Sequence, residues 1–208
     1  MMLEALSHAR RHFADVGVGF PHSSQVEAEF VVDIAAQAAA AGAGRIVFYD
    51  TNGSAEPFGV RKIVDRLVEE SDTMILFHGH NDLGLATANS LAAALAGARG
   101  LDVTINGLGD RAGNASLEQV AVLLRREGFE TGIDLTQLRS ISEMVAAKSG
   151  VAVSGLAPVV GDFAFDHKSP SHLAEPGEFE ALAPESVGGV RRLRKVPGGN
   201  RGPEGSEG

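Results

Sequence analysis

The chain has 208 residues, 44% of them apolar, which predicts one domain plus an appendage and leaves ample material for a core. A net charge of −9 argues against nucleic acid or an anionic membrane as partner, and the absence of cysteine excludes a disulfide framework, a thiol nucleophile and thiolate ligands. No apolar run approaches the roughly 18 residues of a membrane helix, and the opening MMLEALSHARRHF lacks a signal-peptide core, so the expected location is cytoplasmic by default.

Residues 3–13 predict a short amphipathic helix with Leu3, Leu6 and Phe13 on one side. A brief apolar strand at 16–20 leads into Pro21-His22-Ser23-Ser24, where Ser24 is placed to cap a helix over 25–41. The next strand covers 45–49 and ends in the turn-rich Asp50-Thr51-Asn52-Gly53. Pro57 suits the first turn of a helix ending near Glu70. An apolar run at 74–77 reads as a buried strand, with His78 and His80 at its end. An Ala-rich helix over 85–96, a strand at 101–105, a glycine-rich loop at 107–114 and a helix over 116–127 follow. Asp134 is placed to cap a helix over 135–149, ended by Gly150. The remainder reads as irregular or helical, and the low-complexity end as disordered.

The strands begin near 16, 45, 74 and 101, in steps of 29, 29 and 27 residues. Regular alternation at this spacing predicts parallel strands joined by crossover helices. It matches an eight-fold βα barrel, in which about 250 residues make eight units. A doubly wound open sheet is the alternative. Four tilted strands cannot close a barrel alone. The expected organisation is a partial barrel at 1–130, a linker subdomain at 131–196 and a tail at 197–208.

In such a barrel the chemistry sits at the C-terminal ends of the strands. Those ends carry His22, Asp50-Thr51, His78-Gly79-His80 and the stretch from Asn106 to Asn114. Two residues apart on a strand, His78 and His80 point to one side, where paired imidazoles can chelate a divalent ion; two unrelated surface or hydrogen-bonded histidines are the alternative. Asp50 is a candidate catalytic carboxylate, with capping of its own turn as the alternative. Asn106 and Arg111 are candidate substrate-binding groups. Their alternatives are an ordinary turn residue and one half of a solvated Asp110–Arg111 ion pair. Asn114 is either a metal ligand or the N-cap of the following helix.

HGHNDLGLATANS followed by TINGLGDRAGNASLE resembles the metal-dependent isopropylmalate, homocitrate and citramalate synthases, which share a barrel with hydroxymethylglutaryl-CoA lyase. The resemblance implies an acyltransferase that condenses acetyl-CoA with a 2-oxo acid, using a divalent ion (Mg, Mn or Zn). By position, His78 and His80 match metal-binding histidines, Asn114 an amide near the metal, and Thr51 a hydroxyl that touches the oxo acid. Ser169-Pro170-Ser171-His172 matches a loop whose histidine reaches a neighbouring subunit's site in several members, making His172 a catalytic candidate. A solvated loop histidine is the alternative.

By register with the family, the strand at 16–20 corresponds to the fifth of the barrel, so the chain is expected to supply the last four βα units. The family's Arg-Asp-Gly-x-Gln motif, with its aspartate ligand, is absent, and Pro170 replaces a loop glycine. Three explanations follow: a split enzyme completed by a separate polypeptide, an inactive fragment of a degraded or miscalled gene, or a half-barrel that homodimerises. A lyase or aldolase on the same barrel and a catalytically inactive partner subunit are the functional alternatives.

Overall fold

A computed structural model describes residues 1–194. The expected disordered tail, 197–208, lies outside the described residues. The chain divides into two compact units, Met1–Ile133 and Asp134–Gly208. Among the described residues no helix is long and apolar enough to cross a membrane.

The first unit opens with helix α1 (Met2–Ala9) and then alternates strand and helix: β1 (Gly17–Phe20), α2 (Ala28–Ala40), β2 (Arg45–Asp50), α3 (Pro57–Glu70), β3 (Met74–Gly79), α4 (Ala86–Leu95), β4 (Gly100–Asp102) and α5 (Leu117–Arg126). The four strands form one parallel sheet in chain order. Its register pairs Phe20 with Phe48, Phe48 with Phe77 and Phe77 with Leu101. The expected α/β class and parallel strand order are therefore present.

Alternation along the strands fixes which side chains meet the helices. Ile46 and Phe48 on β2, and Ile75 and Phe77 on β3, are buried against Val31, Val60, Val64, Leu67 and Ala93 from α2, α3 and α4. Each such large side chain contributes about 1.5–3 kcal/mol when fully buried. The intervening positions, Val47, Tyr49, Leu76 and His78, are only partly buried, and Met74 is exposed. Gly19 on β1 makes room for one of them. A side chain there would start 2.7 Å from the Tyr49 ring.

Four expectations change. The strand expected at 101–105 stops at Asp102 and gives way to a 3-10 turn, Ile105–Gly107. Its ladder partner β3 offers only Leu76, Phe77 and His78, and Thr104 bonds Ala115 of the following loop instead. The helix expected from residue 25 starts at Ala28 behind a 3-10 turn, Ser23–Gln25. Ser24 caps no helix, because its hydroxyl donates to Asp50 Oδ1 at 2.9 Å. The N-cap of α5 is Ser116, which accepts from the Gln119 N–H, so Asn114 does not cap it.

In the second unit Asp134 caps a 3-10 turn, Leu135–Gln137, that runs into helix α6 (Leu138–Ser149), closed by Gly150 at φ 73°. Beyond it lie a short helix, α7 (Pro170–Ala174), and two strands, β5 (Asp166–His167) and β6 (Arg192–Leu193). The strands pair in parallel, a feature the sequence reading did not contain.

Candidate active site

The strand ends of the first unit bring together most of the expected rim groups. His78 lies on the partly buried face of β3, in register between Tyr49 on β2 and Asp102 on β4. The Tyr49 and His78 rings sit 4.9 Å apart. His78 Nδ1 is 3.1 Å from Asp102 Oδ2, and its Nε2 is 3.3 Å from His80 Nε2. With Nδ1–H donated to the carboxylate, His78 Nε2 carries a lone pair, the arrangement found where a carboxylate orients a metal-binding imidazole. Two nitrogens 3.3 Å apart, each about 2.1 Å from one ion, subtend roughly 105° at it, a workable ligand angle. The other ring nitrogen of His80, Nδ1, is buried without a partner. This donor set fits a divalent cation.

Asn114 faces the same point. It bridges His80 across the loop, and its Nδ2 approaches His78 Nε2 at 3.3 Å and the Gly79 carbonyl at 3.4 Å. In this orientation the amide donates; ligation through oxygen requires the amide turned over. Among the described residues no three His, Asp or Glu side chains gather as a metal cluster, so the chain brings two imidazoles and an amide to this point.

Two glycines let Asn114 come so close. A Cβ at Gly113, which has φ 88°, would strike the Gly107 carbonyl. One at Gly109 would strike the Asn114 side-chain oxygen. At Gly113 only glycine tolerates both the approach and the left-handed backbone.

Arg111 knits the rim. Its Nε and Nη2 donate to the two oxygens of Asp82 at 2.8 and 2.9 Å, and Nη2 also donates to the Thr51 carbonyl at 2.8 Å. The guanidinium holds the Asp82 carboxyl below its ordinary range. The expected Asp110–Arg111 alternative is thus replaced by a forked pair with Asp82, across the β3 and β4 loops. Thr51 Oγ1 accepts from the His22 N–H at 2.8 Å, joining the β1 and β2 loops.

Asp50 takes a different place. It is fully buried, in register with Gly79, on the helix-facing side of the sheet rather than the side of His78. Its carboxylate accepts from Ser24 Oγ, from Ser54 N–H and, through both oxygens, from Ala55 N–H, at 2.9–3.2 Å. The alternative weighed for it, capping its own turn, describes this geometry. Asn106 sits at φ 61° in its turn, and its N–H donates to Glu118 at 2.9 Å.

Three functional side chains went unassigned in the sequence. Asp102 orients His78. Glu118, 1% exposed, clamps Asn106 N–H and the Ser116 hydroxyl from the first turn of α5. Asp82 receives Arg111. Glu118 carried a local signal as an acidic residue at a helix start, and Asp82 one as a carboxylate beside the histidine pair.

His172 belongs to the second unit, in α7, whereas the rim groups belong to the first. Its ring stacks on Phe179 at 4.0 Å, and its Nδ1 lies 3.4 Å from His167 Nδ1. His167, 6% exposed, meets Glu180 Oε1 through Nε2 at 3.0 Å. Arg191 forks onto the same carboxylate at 2.7 and 2.6 Å and holds its pKa down to about 2. His167, His172, Phe179 and Glu180 border a recess of about 490 Å³ whose apolar wall includes Leu156, Phe163 and Leu182. Val159, on the same wall, has φ 71°, a strained conformation for a β-branched residue.

The model of the HMGL-like family matches residues 1–145. Homocitrate synthase 1 of Nostoc sp. is 42% identical over 183 residues, covering 86% of this chain and 48% of that protein. The 2-isopropylmalate synthase 2 of Caldanaerobacter subterraneus is 39% identical over 197 residues, covering 92% of this chain and 51% of that protein. Among solved structures, an HMG-CoA lyase of Acinetobacter baumannii in complex with coenzyme A and 3-methylmalate aligns with a TM-score of 0.63 at 27% identity. That alignment covers 75% of this chain and 55% of the other. The chain spans about half the length of the curated relatives it matches.

Proposed function

Because this chain belongs to the HMGL-like family, we propose that it is one half of an acyltransferase that condenses acetyl-CoA with a 2-oxo acid to give a 2-hydroxy dicarboxylic or tricarboxylic acid. The observation that carries this is the convergence of His78 Nε2, His80 Nε2 and the Asn114 amide at the ends of β3 and β4. The synthase names of the sequence relatives support the reaction class, and the coenzyme A in the lyase complex supports a CoA thioester substrate.

We read the four strands as the last four βα units of an eight-fold barrel, with residues 131–196 as a linker subdomain. Support comes from the parallel order, the partly exposed face around Val47 and Leu76, and the free sides of β1 and β4. Beside β4, an apolar recess of about 610 Å³, bordered by Leu101, Val103, Leu124 and Phe129, offers a seat for the adjoining unit. A separate polypeptide or a second copy of this chain completes the barrel in the cytoplasm.

His78 and His80 would hold a divalent ion, with Asn114 adding its amide oxygen; nitrogen and oxygen ligands of this kind accept Mg, Mn or Zn. Such an ion, when bound, supplies Lewis-acid polarisation of a keto carbonyl. Asp102 keeps the His78 ring in its ligating tautomer. The Thr51 hydroxyl, Asn106 and the Arg111 Nη1, which enters none of the rim bonds above, bind the oxo acid. Asp50 acts as a positioning residue by tying down the 51–55 turn. His172 transfers a proton at the site of a neighbouring copy. In the net reaction the acetyl methyl loses a proton to a base and its carbon bonds the keto carbon. The keto oxygen gains a proton, and water cleaves the thioester to release free CoA thiol.

The test uses the full chain, with and without a polypeptide supplying the first half of the barrel. Thiol release from acetyl-CoA is followed across a panel of 2-oxo acids. The expected result is release with at least one oxo acid once the barrel is complete. Carbon–carbon cleavage of a hydroxyacyl-CoA in its place would assign a lyase, and neither activity under either condition would leave an inactive partner subunit.

A further inference from the structure

We propose that Glu180 and His167 are positioning residues that set the tautomer of His172, placing its proton on Nδ1 and leaving Nε2 bare as the proton-accepting atom. The proposal deepens the assignment of His172 above and rests on that reading for its catalytic meaning, although the tautomer itself does not.

The chain of contacts runs inward from His172. Glu180 is 5% exposed in its side chain and carries a forked ion pair from Arg191 at 2.7 and 2.6 Å. With its pKa held down near 2, mainly by Arg191, it stays a carboxylate at every working pH and can only accept. The nitrogen it faces, His167 Nε2 at 3.0 Å, therefore carries a hydrogen. In the neutral form of His167 the other nitrogen, Nδ1, is therefore a lone pair. That lone pair faces His172 Nδ1 at 3.4 Å. Two lone pairs cannot face each other favourably, so the proton of neutral His172 sits on Nδ1. Stacking on Phe179, at 4.0 Å and 14° between planes, holds the ring in the orientation that keeps this contact.

Neither His167 nor Glu180 touches the reacting atoms. Their effect reaches the substrate through one proton position. An imidazole with Nδ1–H and bare Nε2 is a base; the opposite tautomer offers Nε2–H and must act as a donor first.

Nitrogen-15 NMR of the histidine rings in the full chain, at a pH where both rings are neutral, reads this directly. Resonances are assigned by their loss in His172→Gln and His167→Phe. The expected spectrum shows His167 protonated at Nε2 and His172 at Nδ1. In His167→Phe, His172 shifts toward the Nε2–H form. A wild-type spectrum with His172 protonated at Nε2, or an unchanged His172 in folded His167→Phe, overturns the proposal. Should that variant not fold, the wild-type spectrum decides alone. The catalytic reading is tested separately, by thiol release in His172→Gln. Loss of that reading leaves the tautomer result standing, and a wrong tautomer leaves the assay result standing.

Discussion

Replacing His78 and His80 together by alanine abolishes divalent-metal retention and lowers oxo-acid-dependent thiol release in the completed barrel by about a thousandfold. The size follows from the role. Polarising a carbonyl contributes several kcal/mol, and at about 1.4 kcal/mol per tenfold a loss of ~4 kcal/mol is about 10³ in rate. The variant removes both nitrogens of the 3.3 Å pair and strands Asn114 without its His78 contact. Asp102→Asn is the graded companion. It leaves both ligands but removes the charged partner of His78 Nδ1, with an expected 10- to 100-fold loss of metal affinity. Equilibrium dialysis with metal analysis checks both. Retention unchanged in the double variant would dismiss the two histidines as ligands.

Phe77→Ala removes a large share of the stability of the first unit. Phe77 is fully buried, pairs in register with Phe48, and has its ring centre 6.0 Å from that of Phe48. Phe-to-Ala changes in cores cost about 3–5 kcal/mol, set against a typical total stability of about 5–15 kcal/mol. The strand it anchors carries His78 as the next residue, so metal affinity falls with stability. Met74→Ala on the same strand, where Met74 is 48% exposed, is the control and costs little. Urea unfolding compares the midpoints. A Phe77→Ala cost under about 1 kcal/mol would contradict the packing described for this sheet.

The strand–helix rhythm was legible because it is written locally. Apolar runs near 16, 45, 74 and 101 recur at a near-constant step, and each became a strand. The His78–His80 spacing was legible for the same reason. What failed depended on distant partners. Ser24 has every feature of a helix cap, yet its hydroxyl is drawn to Asp50, 26 residues on. Leu101, Val103 and Ile105 alternate as a strand should, but the ladder ends at His78 and the chain turns to pair with its own loop. Arg111 has an acidic neighbour in Asp110 and takes Asp82 instead, 29 residues away. Asp102 was invisible until register set it beside His78, because a carboxylate at a strand end has many possible uses. The network from Arg191 through Glu180 to His167 links parts of the second unit that share no periodicity.

Two imidazoles on one face of β3 gripping a single cation is the claim on which the functional account turns. Titration of the wild-type chain with Mn(II), read by pulsed electron paramagnetic resonance for coupling to ring nitrogen, addresses it without needing turnover. The account predicts one tightly held ion per chain with imidazole nitrogen coupling that disappears in the His78→Ala, His80→Ala double variant. An ion held without that coupling, or none held even in the completed barrel, would contradict it.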